Sequence, residues 1–242
     1  MKGVVNMRKN ASTTVLLKAV QFAADKHRKQ RRKGKDASPY INHPIGVAHL
    51  LADVGGITDI DTLVAAILHD TVEDTKTTLR ELEKQFGRAV RSVVEELTDD
   101  KSKKKALRKR LQIEHAPHLS RQAKAIKMAD KISNVQDVTE HPPKKWRLAR
   151  RIAYLNWTEK VVAGCRGTSD GLERYYDKAL KKGRAKLGAP NITRAPAADR
   201  LCARCGAPPA PSRARRSGRG ARRPRRIGVR AAASRTHRGA AQ

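Results

Sequence analysis

The chain has 242 residues, a formal net charge of +31 and only 38% hydrophobic residues. The length suits one good-sized domain or two small ones. Low apolar content with high charge directs attention to nucleic-acid binding or partial disorder. No apolar run reaches the ~20 residues of a membrane span, and the opening MKGVVNMRKNASTT lacks the apolar core of a signal peptide. A cytoplasmic chain with no membrane partner is therefore expected. Of the three cysteines, Cys165 stands alone and Cys202 and Cys205 form one CxxC. That set points to a reducing compartment. It falls two ligands short of a structural zinc site.

Elements follow in chain order. Residues 1–13 are read as an N-terminal extension. Thr14 is placed to cap a helix through about Arg31, with Leu17, Val20 and Ala24 on one face. Pro44 suits the first residue of a second helix, ending near Gly55-Gly56. Asp59 or Asp61 caps a third, LVAAILHDTVED, apolar almost all round and so expected at the centre. Thr77-Thr78 followed by Glu81 resembles a capping box opening TLRELEKQF, which stops at Gly87. Further helices are expected over 88–98, 104–116, 120–140, 143–164 and 169–182. No period-2 strand pattern appears. The expectation is an all-α single domain over 14–182.

Residues 183–242 differ in kind. They carry sixteen Lys and Arg against Asp199 alone, and Ala, Arg, Gly and Pro fill 43 of their 60 positions. With no apolar periodicity to bury, the segment reads as a disordered basic tail. Its composition also resembles out-of-frame translation of GC-rich DNA.

The chemistry concentrates in HDTVED, His69 to Asp74. On a continuous helix His69 would share a face with Glu73, and Asp70 with Asp74. An imidazole beside a carboxylate suits a divalent ion of intermediate hardness. His43, just before Pro44, and Asp130, out of place within the apolar AIKMADKISN, are candidates to complete the set. Two histidines and two carboxylates form a shell that Mn2+ fits, with Fe2+ or Zn2+ as alternatives. Such an ion activates water and polarises a phosphoryl group. Glu73 and Asp74 are placed to orient or deprotonate the attacking water. His27, His49, His115, His118, His141 and His237 lack this context and are read as surface or packing residues.

The runs RKQRRKGKDASPYINHPIGVAHLL, AAILHDTVEDT, VEELTDDKS and MADKISNVQD resemble the hydrolase domain of the RelA/SpoT family, in its short stand-alone form. The resemblance spans about residues 14–182. It implies an all-α HD-domain helical bundle that binds Mn2+ and hydrolyses the 3′-pyrophosphate of (p)ppGpp to GDP or GTP and pyrophosphate. It makes His43, His69, Asp70 and Asp130 the metal ligands, and Glu73 and Asp74 the catalytic acids. A small, highly anionic nucleotide needs bases around the metal cluster. Arg32 and Lys33, expected to end the first helix, match family positions that contact the nucleotide, and Arg32 suits the guanine face. Asn134, four residues after Asp130, suits ribose or base. Arg150 and Tyr154 suit a phosphate and a base or sugar respectively, and Lys105 a phosphate. The family often carries an aromatic residue where Ser133 stands and Arg where Gln136 stands. No synthetase or sensing module is apparent after the hydrolase region.

Two other functions compete. An HD site also suits another phosphorylated nucleotide such as NADPH. A basic nucleic-acid-binding protein would rest on KSKKKALRKR (101–110) and the arginine tail. Few aromatics and no binding motif argue against the latter. Nucleic acid is expected only nonspecifically, through the tail.

Overall fold

The computed structural model describes residues 2–34 and 36–189. The expected tail, with its CxxC and His237, lies outside them, apart from its first residues to 189. Nine α-helices and one 3-10 turn make up the described residues, and no strand occurs among them beyond an isolated Arg31–Pro39 bridge. None of these helices is long and apolar enough to cross a membrane.

Helix α1 runs Lys2–His27, so Thr14 lies inside it and does not cap it. Nothing between Lys2 and Thr14 stops a helix: there is no proline, and the single glycine stands at the start. The helix also ends earlier than Arg31. Gln30 N–H bonds back to the His27 carbonyl at 2.8 Å, and Tyr40 N–H bonds to Gln30 O at 3.1 Å. These bonds bring Gln30 and Tyr40 together, and Arg32 and Lys33 lie off the helix.

Helix α2 spans Asn42–Asp53 with Pro44 as its third residue. It stops where Gly56 takes φ +63, a conformation that only glycine adopts without strain. Helix α3, Ile60–Leu68, is capped by Asp59, whose carboxylate accepts from Thr62 N–H at 3.0 Å. Its Val64, Ala65, Ala66, Ile67 and Leu68 are all buried, as the unbroken apolar run requires. Each full-length aliphatic side chain buried there contributes about 1.5–3 kcal/mol. The helix does not continue through HDTVED. It ends at Leu68, a turn holds His69 and Asp70, and the single turn α4 follows at Thr71–Asp74.

Helix α5, Leu79–Leu97, is capped by Thr78, which accepts from Glu81 N–H, and kinks at Gly87 (φ +88) where the sequence marks a stop. Helix α6 is Lys105–His115, followed by the 3-10 turn Ala116–His118. Helix α7, Arg121–Glu140, is the second central helix, capped by Ser120. Helix α8 begins at Leu148, not near 143, because Pro142-Pro143 lead into a turn closed by Trp146 N–H on Pro143 O at 2.9 Å. Helix α9 runs Asp170–Lys186, four residues past the expected domain end at 182. Its Leu172, Tyr176, Leu180 and Arg184 repeat every fourth residue and are all buried. Arg184 is bound by Glu159 at 2.7 Å and Asn156 at 3.1 Å on α8.

α3 packs against α1, α2 and α5, and α7 against α2, α8 and α9. The core sits around these two helices. The break after α3 therefore faces the middle of α7 with α2 alongside, which brings His69, Asp70, Asp130 and His43 to one place. Cys165 is buried and unpaired.

Candidate metal centre and nucleotide cavity

One cavity of about 750 Å³ is lined by all twelve residues singled out from the sequence. At its floor, His43, His69 and Asp130 present ligand atoms within 4.8 Å of one another. The imidazoles are aimed by their outer nitrogens. His69 Nδ1 bonds the Ala66 carbonyl at 2.7 Å and so carries the proton, which turns Nε2 inward. That Nε2 is buried and makes no aligned hydrogen bond, although Asp70 Oδ2 lies 3.0 Å away. His43 contacts Ser133 Oγ through Nδ1 at 3.0 Å and Asp130 Oδ1 through Nε2 at 3.1 Å. Asp70 Oδ2 also lies 3.8 Å from His43 Nε2, so its carboxylate closes the group as a fourth donor. An inward, unsatisfied imidazole nitrogen with two carboxylates is the donor set of a divalent cation.

The charges agree. Burial opposes a charged His69 ring, but Asp70 and Asp130 outweigh it and push the ring up to about 9. Burial lowers His43 against the pull of Asp130. Both carboxylates are held well below their usual range despite burial: Asp70 by His69 and His43, and Asp130 by Lys131 and His43. The pocket thus favours positive charge, of the kind a protonated His69 or a bound divalent ion would supply. Tyr40 donates to Asp70 Oδ2 at 2.6 Å, and Lys131 Nζ to Asp130 Oδ2 at 2.8 Å.

Glu73 and Asp74 sit on the adjoining wall but not on one continuous helix with His69. The turn is kept by Asp74 N–H on Asp70 O at 2.9 Å. Glu73 accepts from Asp99 N–H at 3.2 Å and from Arg108 at 3.4 Å. Burial raises it, and the nearby Asp99 charge adds to the shift. Asp74 accepts from Gln30 at 2.9 Å and pairs with Lys101.

On the opposite wall, Arg32 donates to Asp137 Oδ2 and to Asn134 Oδ1 at 2.9 Å, with its guanidinium over the Tyr40 ring. Asn134 in turn donates to Asp130 Oδ1 at 2.5 Å. A chain of contacts thus runs from the metal group to Arg32. Arg150 and Tyr154 both face the cavity from α8, as their spacing predicts. Arg150 lies 4.4 Å over Trp146, and Tyr154 packs between Trp146 and Trp157. Burial pushes the Tyr154 phenol up to about 12. Lys33 and Lys105 complete the lining.

Sequence reasoning missed Tyr40, Lys109, Lys131, Asp137 and Trp146, which also line the cavity. Tyr40 stands three residues before His43, and Lys131 beside Asp130, so proximity to the ligands was their only signal. His27 and His141 fit the packing and surface readings respectively. His27 is buried against Tyr40, and His141 stands at the cavity edge. Ser133 orients His43, and Gln136 reaches Tyr175 at 3.4 Å.

An all-helical fold with a His/Asp cluster at a helix break defines an HD-type metal-binding protein. The HD domain family matches residues 19–155. Human guanosine-3′,5′-bis(diphosphate) 3′-pyrophosphohydrolase MESH1 is 55% identical over 167 residues, covering 69% of this chain and 93% of that protein. The Xenopus tropicalis MESH1 is 51% identical over 168 residues, covering 69% and 94%. A solved structure described as a metazoan ortholog of SpoT that hydrolyzes ppGpp superposes with a TM-score of 0.68 at 45% identity, covering 69% of this chain and 94% of that one. This chain belongs to the HD domain family, in the branch that holds the MESH1 proteins.

Proposed function

We propose that this chain hydrolyses the 3′-pyrophosphate of (p)ppGpp to GDP or GTP and pyrophosphate, with Mn2+ held by His43, His69, Asp70 and Asp130. The observation that carries the proposal is the inward aim of His69 Nε2, buried without an aligned partner, towards two carboxylates on the floor of a basic cavity. The ion supplies Lewis-acid chemistry when bound, polarising the phosphoryl group and acidifying water. Around it, the chain's own residues bind, orient and move protons. Arg32, fixed by Asp137 and Asn134, offers a flat guanidinium for a purine. Lys33, Lys105 and Arg150 take phosphate charge, and Tyr154 takes sugar or base. Glu73 Oε1, whose contact to Arg108 is long at 3.4 Å, is the atom open to a water proton, and Asp74 orients that water.

The catalytic domain runs from about residue 14 to the end of α9, with the basic tail outside it. We also place the chain in the cytoplasm, a reducing compartment that the buried, unpaired Cys165 fits.

The test is turnover of ppGpp and NADPH side by side with Mn2+, with products identified. Release of pyrophosphate from ppGpp with faster turnover than phosphate release from NADPH is expected. Cleavage of NADPH alone assigns the site to the second nucleotide, and cleavage of neither rejects both.

A further inference from the structure

Five bases face one another across the cavity wall between α6, α7 and α8: Lys105, Lys109, Lys127, Lys131 and Arg150. Among the described residues, only Lys131 of these has a carboxylate in ion-pair distance. Lys109 and Lys131 share one aromatic ring, lying 4.5 Å and 4.8 Å from the centroid of Trp157. The same indole donates to the Lys109 carbonyl at 3.0 Å, which fixes that turn of α6 to α8. Lys109 also lies 5.3 Å from the Tyr154 ring centroid. A sequence of positive groups therefore leads away from the metal group: Lys131 on Asp130, then Lys109 across the indole, then Lys105 one turn back on α6, with Arg150 opposite.

Such a cluster is costly without an anion. Burial lowers the Lys109 ammonium, and Lys105, Lys131 and Arg150 lower it further, so the three lie within repelling distance of it. The aromatic faces offset part of that repulsion. A multiply charged ligand would offset the rest.

We infer that Lys109, held on Trp157 and Tyr154, binds the distal phosphate of a 3′-pyrophosphate whose proximal phosphorus lies at the metal group, and so makes the site prefer pyrophosphate esters over monophosphate esters. This rests on the proposed hydrolysis. In that reaction the water oxygen bonds to the proximal phosphorus, the bond from phosphorus to the ribose 3′-oxygen breaks, and that oxygen gains a proton. The pyrophosphate leaves intact. Its distal phosphate takes no part in bond making, and binding it therefore decides which esters are accepted.

The test uses the full chain with Mn2+ and two substrates, ppGpp and its 3′-monophosphate counterpart. K109Q is expected to reduce the preference for ppGpp, as a ratio of kcat/KM, by about tenfold, the effect of one charge-assisted contact. Inhibition by inorganic pyrophosphate should weaken by a similar factor, and inhibition by inorganic phosphate by less. K109R should restore most of both. Equal losses on the two substrates would show a merely structural role, and an unchanged ratio would also overturn the inference. Calorimetric binding of pyrophosphate in the presence of Mn2+ separates this from the substrate assignment. If neither nucleotide is cleaved, a K109Q chain that binds pyrophosphate as tightly as the unaltered chain still overturns it.

Discussion

At the floor of the cavity, the position of each atom is set by a neighbour one shell out. His69 is aimed by the Ala66 carbonyl, His43 by Ser133, Asp130 by Lys131 and Asn134, and Asp70 by Tyr40. The sequence marked the proposed ligands because His and Asp in an apolar helix need a reason to be there. It did not reveal the orienting groups, because a serine, a tyrosine and a carbonyl carry no signature of their own. Glu73 shows what such a neighbour does to chemistry. Burial and the Asp99 charge hold its carboxyl above the usual glutamate range. A base must be deprotonated to work, so activity falls as pH drops through that raised value. Asp99→Asn removes the charge and keeps the backbone N–H. The Glu73 pKa then falls, and the acid limb of the kcat/KM profile moves to lower pH. A limb that stays in place, or moves up, removes Glu73 from the role of base.

Helix boundaries show where the sequence was read well and where it was not. The boundaries with a local cause were legible: Asp59 and Thr78 as caps, and Gly87 as a break, which proves to be a kink. Others were not. Helix α1 extends to Lys2, α8 starts after a proline turn, and HDTVED is split by a turn. The last is set in part by a tertiary contact, Tyr40 on Asp70, beside the local bond of His69 to the end of α3. The end of α9 is a further case. Its composition changes at residue 183, yet Gly183, Arg184 and Leu187 are buried. Gly183 packs so closely that a Cβ would meet Thr139 Oγ1 at 2.8 Å. A chain ended after Ala189 should match the full chain in Tm and in hydrolysis. One ended after Lys182 loses the Arg184–Glu159 pair and the Leu187 contact. Losing the burial of Leu187 costs roughly 1.5–3 kcal/mol, about 3–10 °C in Tm, and the half-exposed Glu159 adds little to it. Calorimetry of the two chains checks this, and equal Tm values would show that the domain ends before Gly183.

Over the whole molecule, a net charge of +31 first suggested nucleic acid. The fold gives part of that charge a different use. Arg32, Lys33, Lys105, Lys109, Lys131 and Arg150 come from four separate stretches of chain and meet around one cavity. No local pattern announces such a meeting, which is why Lys109 escaped notice within a run of lysines. The twelve candidate residues nevertheless all line that cavity. Family resemblance picked out the nucleotide-side residues, and the helix break that brings the metal group together was not legible in the chain. The central claim is that hydrolysis runs through the His43, His69, Asp70 and Asp130 group. It is tested most directly by pyrophosphate release from ppGpp across a Mn2+ titration, in the unaltered chain and in Asp70→Ala. The account predicts Mn2+-dependent release in the first and a loss of at least about a thousandfold in the second. Release that persists in Asp70→Ala, or that ignores Mn2+, would contradict it.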